Sequence, residues 1–351
     1  MKAALIGTGH IARQHLACVS RLDAVELAAV CDLSPAAAEI AAERFGVPRW
    51  FTDHRAMLAA VEPDVVHVTA PPPVHFELGR DALAAGSHVI VEKPAARDHA
   101  EVAELLARAQ AGGRHVVECQ NYLFNPPIVE LLDLRRDGVL GDVVHVEIAM
   151  CLDILAPGSP FADRSVPHPA LSLPGGAIAD FLPHLASLAH AFVGPHEGAH
   201  AIWLKRDAAS PLPSDEFRGL VEGRGGATAA LWFSSHGQPD AFTVRITGTR
   251  GRATAGLFEP RVTVERLRAV PRPLVPTLNG IEEGRTAIRA AFTGFTRKLA
   301  GGPGGYEGLW TLIERTYAAL ADGTPLPVPA EQVGAVHRLI DDLVATAPAA
   351  A

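Results

Sequence analysis

The sequence predicts an α/β fold, with an N-terminal doubly wound parallel sheet of Rossmann type and a C-terminal α/β domain on a mostly antiparallel sheet. Three observations carry the prediction. Short apolar runs alternate with helical patterns through the first third of the chain, as βαβ units require. The first apolar run passes directly into a glycine turn, Gly7-Thr8-Gly9-His10-Ile11-Ala12. After Asn121 the strand candidates follow one another without helices between them, which implies antiparallel pairing. The domain boundary is therefore expected at this point, with 1–121 forming the first domain and 122–351 the second.

The apolar runs of the first domain are Ala3–Ile6, Leu27–Cys31, Val65–Thr69, His88–Val91 and Val116–Cys119. Helical patterns are expected over Ile11–Arg21, Pro35–Phe45, Arg55–Ala60, Val74–Ala85 and His99–Ala111. Gly46, Gly86 and Gly112-Gly113 follow three of these as C-cap glycines do. In the second domain, Pro126–Asp137 reads as a helix stopped by Gly138. Strands are expected at Val143–Met150, Ala199–Lys205, Phe217–Glu222, Thr228–Ser235, Phe242–Thr247 and Arg261–Arg266. One strong helix is expected over Ala177–Phe192, and three more near Glu283–Leu299, Tyr306–Ala321 and Ala330–Ala345. Pro271-Arg272-Pro273 and the glycine-rich stretch 301–305 read as loops, and Ala347–Ala351 as a frayed tail.

The glycine turn has the chemistry of a pyrophosphate site. Gly7 permits the tight turn out of the strand. Gly9 carries no side chain, so backbone and phosphate can approach closely. The helix that follows presents unpaired N–H groups and a partial positive charge. Ala12 stands where a third glycine is usual, a position that governs helix–strand packing and accepts Ala. Twenty residues further on, Asp32 ends the second apolar run, where a ribose-binding acid is expected. A carboxylate there favours NAD over NADP, because it would repel a 2′-phosphate. The competing role for Asp32 is capping of the next helix, although Ser34-Pro35 also fits an N-cap and N1 pair.

Composition narrows the class. The chain has 351 residues, 48% of them hydrophobic, and a formal net charge of −8. Mild acidity without a basic run argues against a nucleic-acid partner. No apolar stretch has membrane-spanning length without charges or turns, and the N-terminus enters a strand directly, so no signal peptide is expected. Cys18, Cys31, Cys119 and Cys151 have neither CxxC nor metal spacing and read as reduced core residues of a cytoplasmic protein. His168, His184, His190, His196 and His200 lie close in sequence but form no HExxH, so no metal is expected.

Three segments hold candidate chemistry. Val89-Ile90-Val91-Glu92-Lys93-Pro94 places Lys93 at a strand C-terminus, the side of a doubly wound sheet that faces ligand. Pro94 restricts Lys93 to extended geometry and is a candidate cis peptide. Asp180 and His184, four apart after Gly175-Gly176, would share one face of a helix, and a His beside a carboxylate suits general acid–base work. Pro183 inside that pattern implies a helix that starts late or bends. Asn121 and Tyr122, at the domain junction, either contact nicotinamide or substrate or simply order the crossover.

Taken together, the fingerprint with His15, the Glu-Lys-Pro strand end and the glycine-led Asp-x-x-x-His segment resemble the glucose–fructose oxidoreductase/inositol dehydrogenase (Gfo/Idh/MocA) family over nearly the whole chain. Ala12 and Ala177 depart from the usual glycines by one methyl each. The resemblance implies a large, open C-terminal sheet and an NAD-dependent oxidoreductase acting on sugars, cyclitols or related polyols. It implies that Lys93 polarises the substrate oxygen, His184 exchanges the proton, and Asp180 orients His184 or grips a neighbouring hydroxyl. Gly7, Gly9, His10, Ile11, Asp32, Glu92, Lys93 and Asn121 are the expected cofactor contacts. Tyr122, together with Arg164 and His168 in the loop Pro157–Pro174, are the candidate substrate contacts; Arg164 suits a phosphate or carboxylate. Trp203, Trp232 and Trp310 are either sugar-stacking or core residues. Two alternatives stay open: a biosynthetic ketone or imine reductase, and a non-catalytic NAD-binding scaffold or sensor. An exposed sheet face predicts a homodimer or homotetramer.

Overall fold

The computed structural model describes residues 1–159, 161–162, 168–299 and 304–348. The chain divides into two compact units, one comprising Met1–Asn121 and Leu309–Arg338, the other Tyr122–Gly308 and Leu339–Ala351.

The first unit holds six parallel strands: β1 (Lys2–Ile6), β2 (Glu26–Cys31), β3 (Trp50–Phe51), β4 (Val65–Val68), β5 (His88–Val91) and β6 (Val116–Glu118). Their order is β3-β2-β1-β4-β5-β6, that of a doubly wound sheet. The helices α1 (Ala12–Val19), α2 (Pro35–Phe45), α3 (His54–Val61), α4 (His75–Ala84) and α5 (His99–Ala111) connect them. Ala3, Ala4, Leu5, Val65, Val66 and Val68 are all buried, because a parallel sheet covered on both faces needs continuous apolar strands. The helix starts follow local chemistry. Ser34, Asp53 and Asp98 accept backbone N–H groups in the first turns of α2, α3 and α5, and Pro35 opens α2. The two-residue β3 was not predicted; it is too short to carry a period.

The second unit begins with α6 (Pro126–Arg136) and is built on a seven-stranded sheet. Its strands are β7 (Val143–Cys151), β8 (His196–Leu204), β9 (Glu216–Gly223), β10 (Thr228–Ser234), β11 (Ala241–Gly248), β12 (Gly251–Gly256) and β13 (Arg261–Arg266). The order is β13-β12-β11-β7-β10-β9-β8; β7 and β10 pair in parallel and the other pairings are antiparallel. One face is covered by α7 (Leu182–Val193), which is buried almost throughout. Val146, Ile148 and Met150 alternate toward that buried side of β7. Three helices complete the chain: α8 (Leu274–Leu299), α9 (Glu307–Asp322) and α10 (Ala330–Val344). No helix among the described residues is long and apolar enough to cross a membrane.

Four sequence expectations need correction. The helix expected over Ala177–Phe192 is interrupted: Gly176–Asp180 is a 3₁₀ turn and α7 starts at Leu182. Pro183 sits in the first turn of α7 and cannot donate to a preceding carbonyl, so the α-helix does not extend back through it. Asp180 and His184 are therefore not on successive turns of one helix. The strand β12, Gly-Arg-Ala-Thr-Ala-Gly, escaped prediction because its residues are small. The helix α8 begins nine residues before the expected Glu283, directly after Pro273. Ala347 and Pro348 are held, not frayed: Ala347 N–H donates to Val344 O at 2.8 Å, and Gly175 N–H donates to Pro348 O at 3.1 Å. Residues 301–303 of the glycine-rich loop lie outside the described residues.

Candidate active site

The crevice of the first unit forms where β1, β2, β5 and β6 end. Gly7 leaves β1 with φ +91°, and a Cβ there would lie 2.5 Å from the Ala70 backbone, so only glycine fits. Its N–H donates to Cys31 O at 2.8 Å, and its carbonyl accepts the Thr69 hydroxyl at 2.6 Å. The turn is thus clamped between the ends of β2 and β4. At Gly9 a Cβ would meet nothing within 4 Å, so the turn is open to a ligand on that side. The helix α1 has no side-chain cap at Ile11 and no acid in its first turn, leaving its N-terminal N–H groups to an anion. His10 is exposed and Ile11 half-buried beside them.

Asp32 follows β2 and organises this turn. Its Oδ2 accepts the Thr8 N–H at 2.8 Å and the Thr8 hydroxyl at 3.0 Å, while Oδ1 accepts the Ser34 N–H at 2.9 Å. A carboxylate offers about four lone-pair positions. Three are used, and one remains for a ribose hydroxyl. Capping of α2 belongs to Ser34, whose hydroxyl accepts the Ala37 N–H.

Glu92 and Lys93 follow β5, and the Lys93–Pro94 peptide is cis. Glu92 is buried and accepts His15 Nε2 at 2.9 Å and the Lys93 N–H at 3.3 Å. Burial pushes its carboxyl up, but the hydrogen bond from His15, with Lys93 and His75 nearby, outweighs that and holds it below the ordinary range. The His75 ring joins two loops of this rim, lying 2.7 Å from Pro94 O and 2.6 Å from Ala70 O. Asn121, after β6, has a buried Oδ1 that finds no hydrogen-bond partner among the described residues. A buried amide oxygen left open at a strand end suits an amide N–H₂ such as that of a carboxamide. The glycine turn, the spare Asp32 acceptor and the open Asn121 oxygen therefore fit a dinucleotide with a nicotinamide end.

In the second unit, His184 lies in the first turn of α7, nearly buried, with its N–H on Phe181 O at 3.1 Å. The Tyr122 ring packs edge-on against the His184 imidazole, 4.6 Å between centroids, and against Phe242 at 4.9 Å. Burial, with Tyr306 nearby, pushes the Tyr122 hydroxyl up to about 12, so it is a donor at neutral pH. Asp180 ends the 3₁₀ turn ahead of α7. That turn needs its glycines: Gly175 (φ +82°) lies flat against Trp203 and Gly176 (φ +63°) against Pro213. His168 caps the short helix Pro169–Ser172 through Nδ1, which accepts the Ala170 N–H at 3.2 Å, and its ring lies 4.3 Å from that of Phe161. Arg164 lies outside the described residues.

The tryptophans have packing roles. The Trp203 indole donates to Leu343 O at 3.1 Å and Trp310 donates to Gln14 at 3.2 Å, while Arg218 lies over Trp232 at 4.5 Å. Sequence reasoning missed a buried polar file that leads from Tyr317 through His67 and His15 to Glu92. The signal available was a histidine inside the otherwise apolar strand Val65-Val66-His67-Val68. It also missed that His15, Glu92 and Cys119 place ligand atoms within 4.8 Å of one another. That trio is buried, and hydrogen bonds already engage it.

Comparison with known proteins places this geometry in context. Residues 1–118 match the family model described as "Oxidoreductase family, NAD-binding Rossmann fold", and residues 128–254 match the "GFO/IDH/MocA C-terminal domain". The D-glucoside 3-dehydrogenase of Escherichia coli (strain K12) is 34% identical over 41% of this chain and 41% of its own length. The D-apiose dehydrogenase of Paraburkholderia graminis is 30% identical over 47% of this chain and 44% of its own. The chain thus spans less than half the length of these curated relatives. Levoglucosan dehydrogenase, solved in complex with NADH and levoglucosan, has a TM-score of 0.78 at 19% identity, covering 99% of this chain and 96% of that one; this likeness is one of fold.

Proposed function

Because the chain belongs to the Gfo/Idh/MocA oxidoreductase family, we propose that it is an NAD-dependent oxidoreductase. It moves a hydride between nicotinamide and the carbinol or carbonyl carbon of a sugar, cyclitol or related polyol. The observation that carries this is the first unit's crevice, where the Gly7–Ala12 turn, Asp32 and Lys93 all lie at the C-terminal ends of one parallel sheet. The substrate class is supported by the sugar dehydrogenases among its relatives.

When bound, NAD supplies the hydride acceptor at nicotinamide C4. The N–H groups of the Gly7–Ala12 turn and α1 hold the pyrophosphate, and Asp32 takes a ribose hydroxyl on its spare lone pair. Asn121 accepts from the carboxamide. Lys93 polarises the substrate oxygen and stabilises the charge that develops there as the hydride departs. His184 accepts the hydroxyl proton in oxidation and returns it in reduction. Tyr122 limits the rotation of the His184 ring by packing on it edge-on, and Asp180 orients His184 or grips a neighbouring hydroxyl. Arg164 and His168 belong to the segment that selects the substrate. Residues 1–121 serve as the cofactor-binding domain and 122–351 as the substrate-binding and oligomerisation domain, with Leu309–Arg338 of the latter grouped in the first compact unit. Ile202 and Leu204 stand exposed on the edge strand β8 and Leu220 on its neighbour β9, which supports a homodimer or homotetramer. Four free, buried cysteines are in keeping with a cytoplasmic protein.

The test is cofactor reduction by the purified protein across a polyol panel. Lys93→Ala and His184→Ala should each lower turnover by about 10²-fold or more. Full turnover in either variant would sink the assigned roles.

A further inference from the structure

Four buried side chains of the first unit form a single hydrogen-bonded file that ends at Lys93. The Tyr317 hydroxyl lies 2.8 Å from His67 Nε2, His67 Nδ1 lies 2.8 Å from His15 Nδ1, and His15 Nε2 lies 2.9 Å from Glu92 Oε1. Glu92 Oε2 accepts the backbone N–H of Lys93 at 3.3 Å. His15 and His67 are fully buried, and Tyr317 and Glu92 nearly so.

The proton order along this file is forced from one end. Among the described residues the only hydrogen-bond partner of the Tyr317 hydroxyl is His67 Nε2, so its proton must point there. Nε2 of His67 is therefore bare, and the ring's one proton sits on Nδ1. That proton is donated to His15 Nδ1, which leaves the His15 proton on Nε2, aimed at Glu92. Every donor meets an acceptor and none is left over. Burial, and then the neighbouring His15, lower the His67 pKa well below its ordinary value, in agreement with a neutral ring. Burial raises the Tyr317 pKa, in agreement with an intact hydroxyl. The Cys119 thiol, kept protonated chiefly by burial, also hydrogen-bonds Glu92.

We propose that Tyr317, His67 and His15 are positioning residues that lock the Glu92 carboxylate, and that Glu92 in turn fixes the backbone from which the Lys93 side chain departs. The inference rests on the assignment of Lys93 to hydride transfer. A fully satisfied buried network has one low-energy arrangement, because breaking any link leaves an unpaired group in a low-dielectric interior. Its far end is Tyr317 in α9, a helix remote in sequence from the strand end that it steadies.

Two measurements on the full-length protein test this. The first is ¹⁵N-histidine NMR of the unsubstituted protein at neutral pH. His67 is expected with its proton on Nδ1 and His15 with its proton on Nε2; either ring in the other tautomer overturns the file. The second is steady-state kinetics with NADH titration. In Glu92→Gln the amide oxygen can still accept from His15, so the tautomers persist, but the N–H₂ then faces the Lys93 N–H and displaces it. We expect kcat to fall about tenfold to a hundredfold in this variant, as misplacement of a reacting group implies. Tyr317→Phe, which touches no expected cofactor contact, should lower kcat about three- to tenfold with NADH Kd unchanged within about twofold. A lowered melting temperature with unchanged kcat in both variants would mean a merely structural role and overturns the proposal. Failure of the functional reading itself shows differently, as an unsubstituted protein that reduces no cofactor with any polyol; the NMR arm judges the file independently of activity.

Discussion

Asp32→Asn separates the two jobs that the structure gives this residue. The carboxylate takes the Thr8 N–H (2.8 Å) and hydroxyl (3.0 Å) on one oxygen and the Ser34 N–H (2.9 Å) on the other. An asparagine keeps its single oxygen on the two Thr8 donors and turns its N–H₂ toward the Ser34 N–H. One hydrogen bond is lost and two donors oppose each other, which costs stability about 1–3 kcal/mol. The lone pair that Asp32 offers a ribose hydroxyl lies on that same second oxygen, and it disappears in the variant. A hydrogen bond to a charged acceptor is worth about 1.5–3 kcal/mol, so NADH Kd should rise about 10- to 150-fold. NADPH should suffer less, because repulsion of the 2′-phosphate goes with the charge. The assay is equilibrium titration of both nucleotides at one ionic strength, beside a denaturant melt. A variant with lowered stability but NADH Kd within about twofold would refute the ribose role and leave Asp32 as a turn anchor only.

Other outcomes follow from named contacts. Gly175→Ala imposes a side chain at φ +82° against the Trp203 ring, so denaturant stability should fall by about 2–4 kcal/mol. Adding Trp203→Leu should recover part of it, giving a non-additive pair. His67 binds its proton less readily in the fold than in the unfolded chain, through burial and then His15. The unfolded state therefore takes up more protons as pH drops below about 6.5, and stability should fall from there downward. Glu118 extends the loss. Burial pushes its carboxyl up, but His337 at 2.6 Å, Gln120 and the Ala95 N–H hold it below the ordinary value, so its contribution is present above about 4.3 and is lost as pH falls through the folded value. A urea midpoint flat from neutral pH down to about 5 would contradict the His67 part. Glu92→Gln and Glu118→Gln should couple in a double-mutant cycle of stability, since Lys93 and Ala95 share one loop and Cys119 senses both carboxylates, whereas Asp32→Asn and Glu118→Gln should add.

Most of the first unit was legible because its information is local. Apolar runs with glycine or Ser/Asp punctuation gave five of the six strands, and the placing of Gly7, Asp32 and Lys93 at strand ends followed from topology. The second unit was legible in its antiparallel character but not in its breaks. Pro183 signalled an interruption, yet nothing near it announced that Gly175 and Gly176 carry positive φ to pass Trp203 and Pro213. The strand β12 lacked the large side chains that make alternation visible. The buried file was out of reach for another reason. His15 and His67 are 52 residues apart and His67 and Tyr317 are 250, so no window on the sequence contains their relation.

One chemical device recurs around the crevice of the first unit. Asp32 follows β2 and binds the N–H groups of Thr8 and Ser34; Glu92 follows β5 and binds that of Lys93; Glu118 ends β6 and binds that of Ala95 at 2.8 Å. Each carboxylate thus ties down a loop backbone at the rim where ligand is expected. Apolar packing could hold these loops only by covering them, which would close the rim. A carboxylate holds a loop from behind with strong, directional bonds and leaves its outer surface uncovered. The glycine turn keeps one side of Gly9 open to solvent for the same reason, while Gly7 is clamped. Fixing a site from below in this way requires that the buried charges be satisfied. His15 on Glu92 and His337 on Glu118 supply that, so these two histidines belong to the geometry of the crevice although neither lies at its surface.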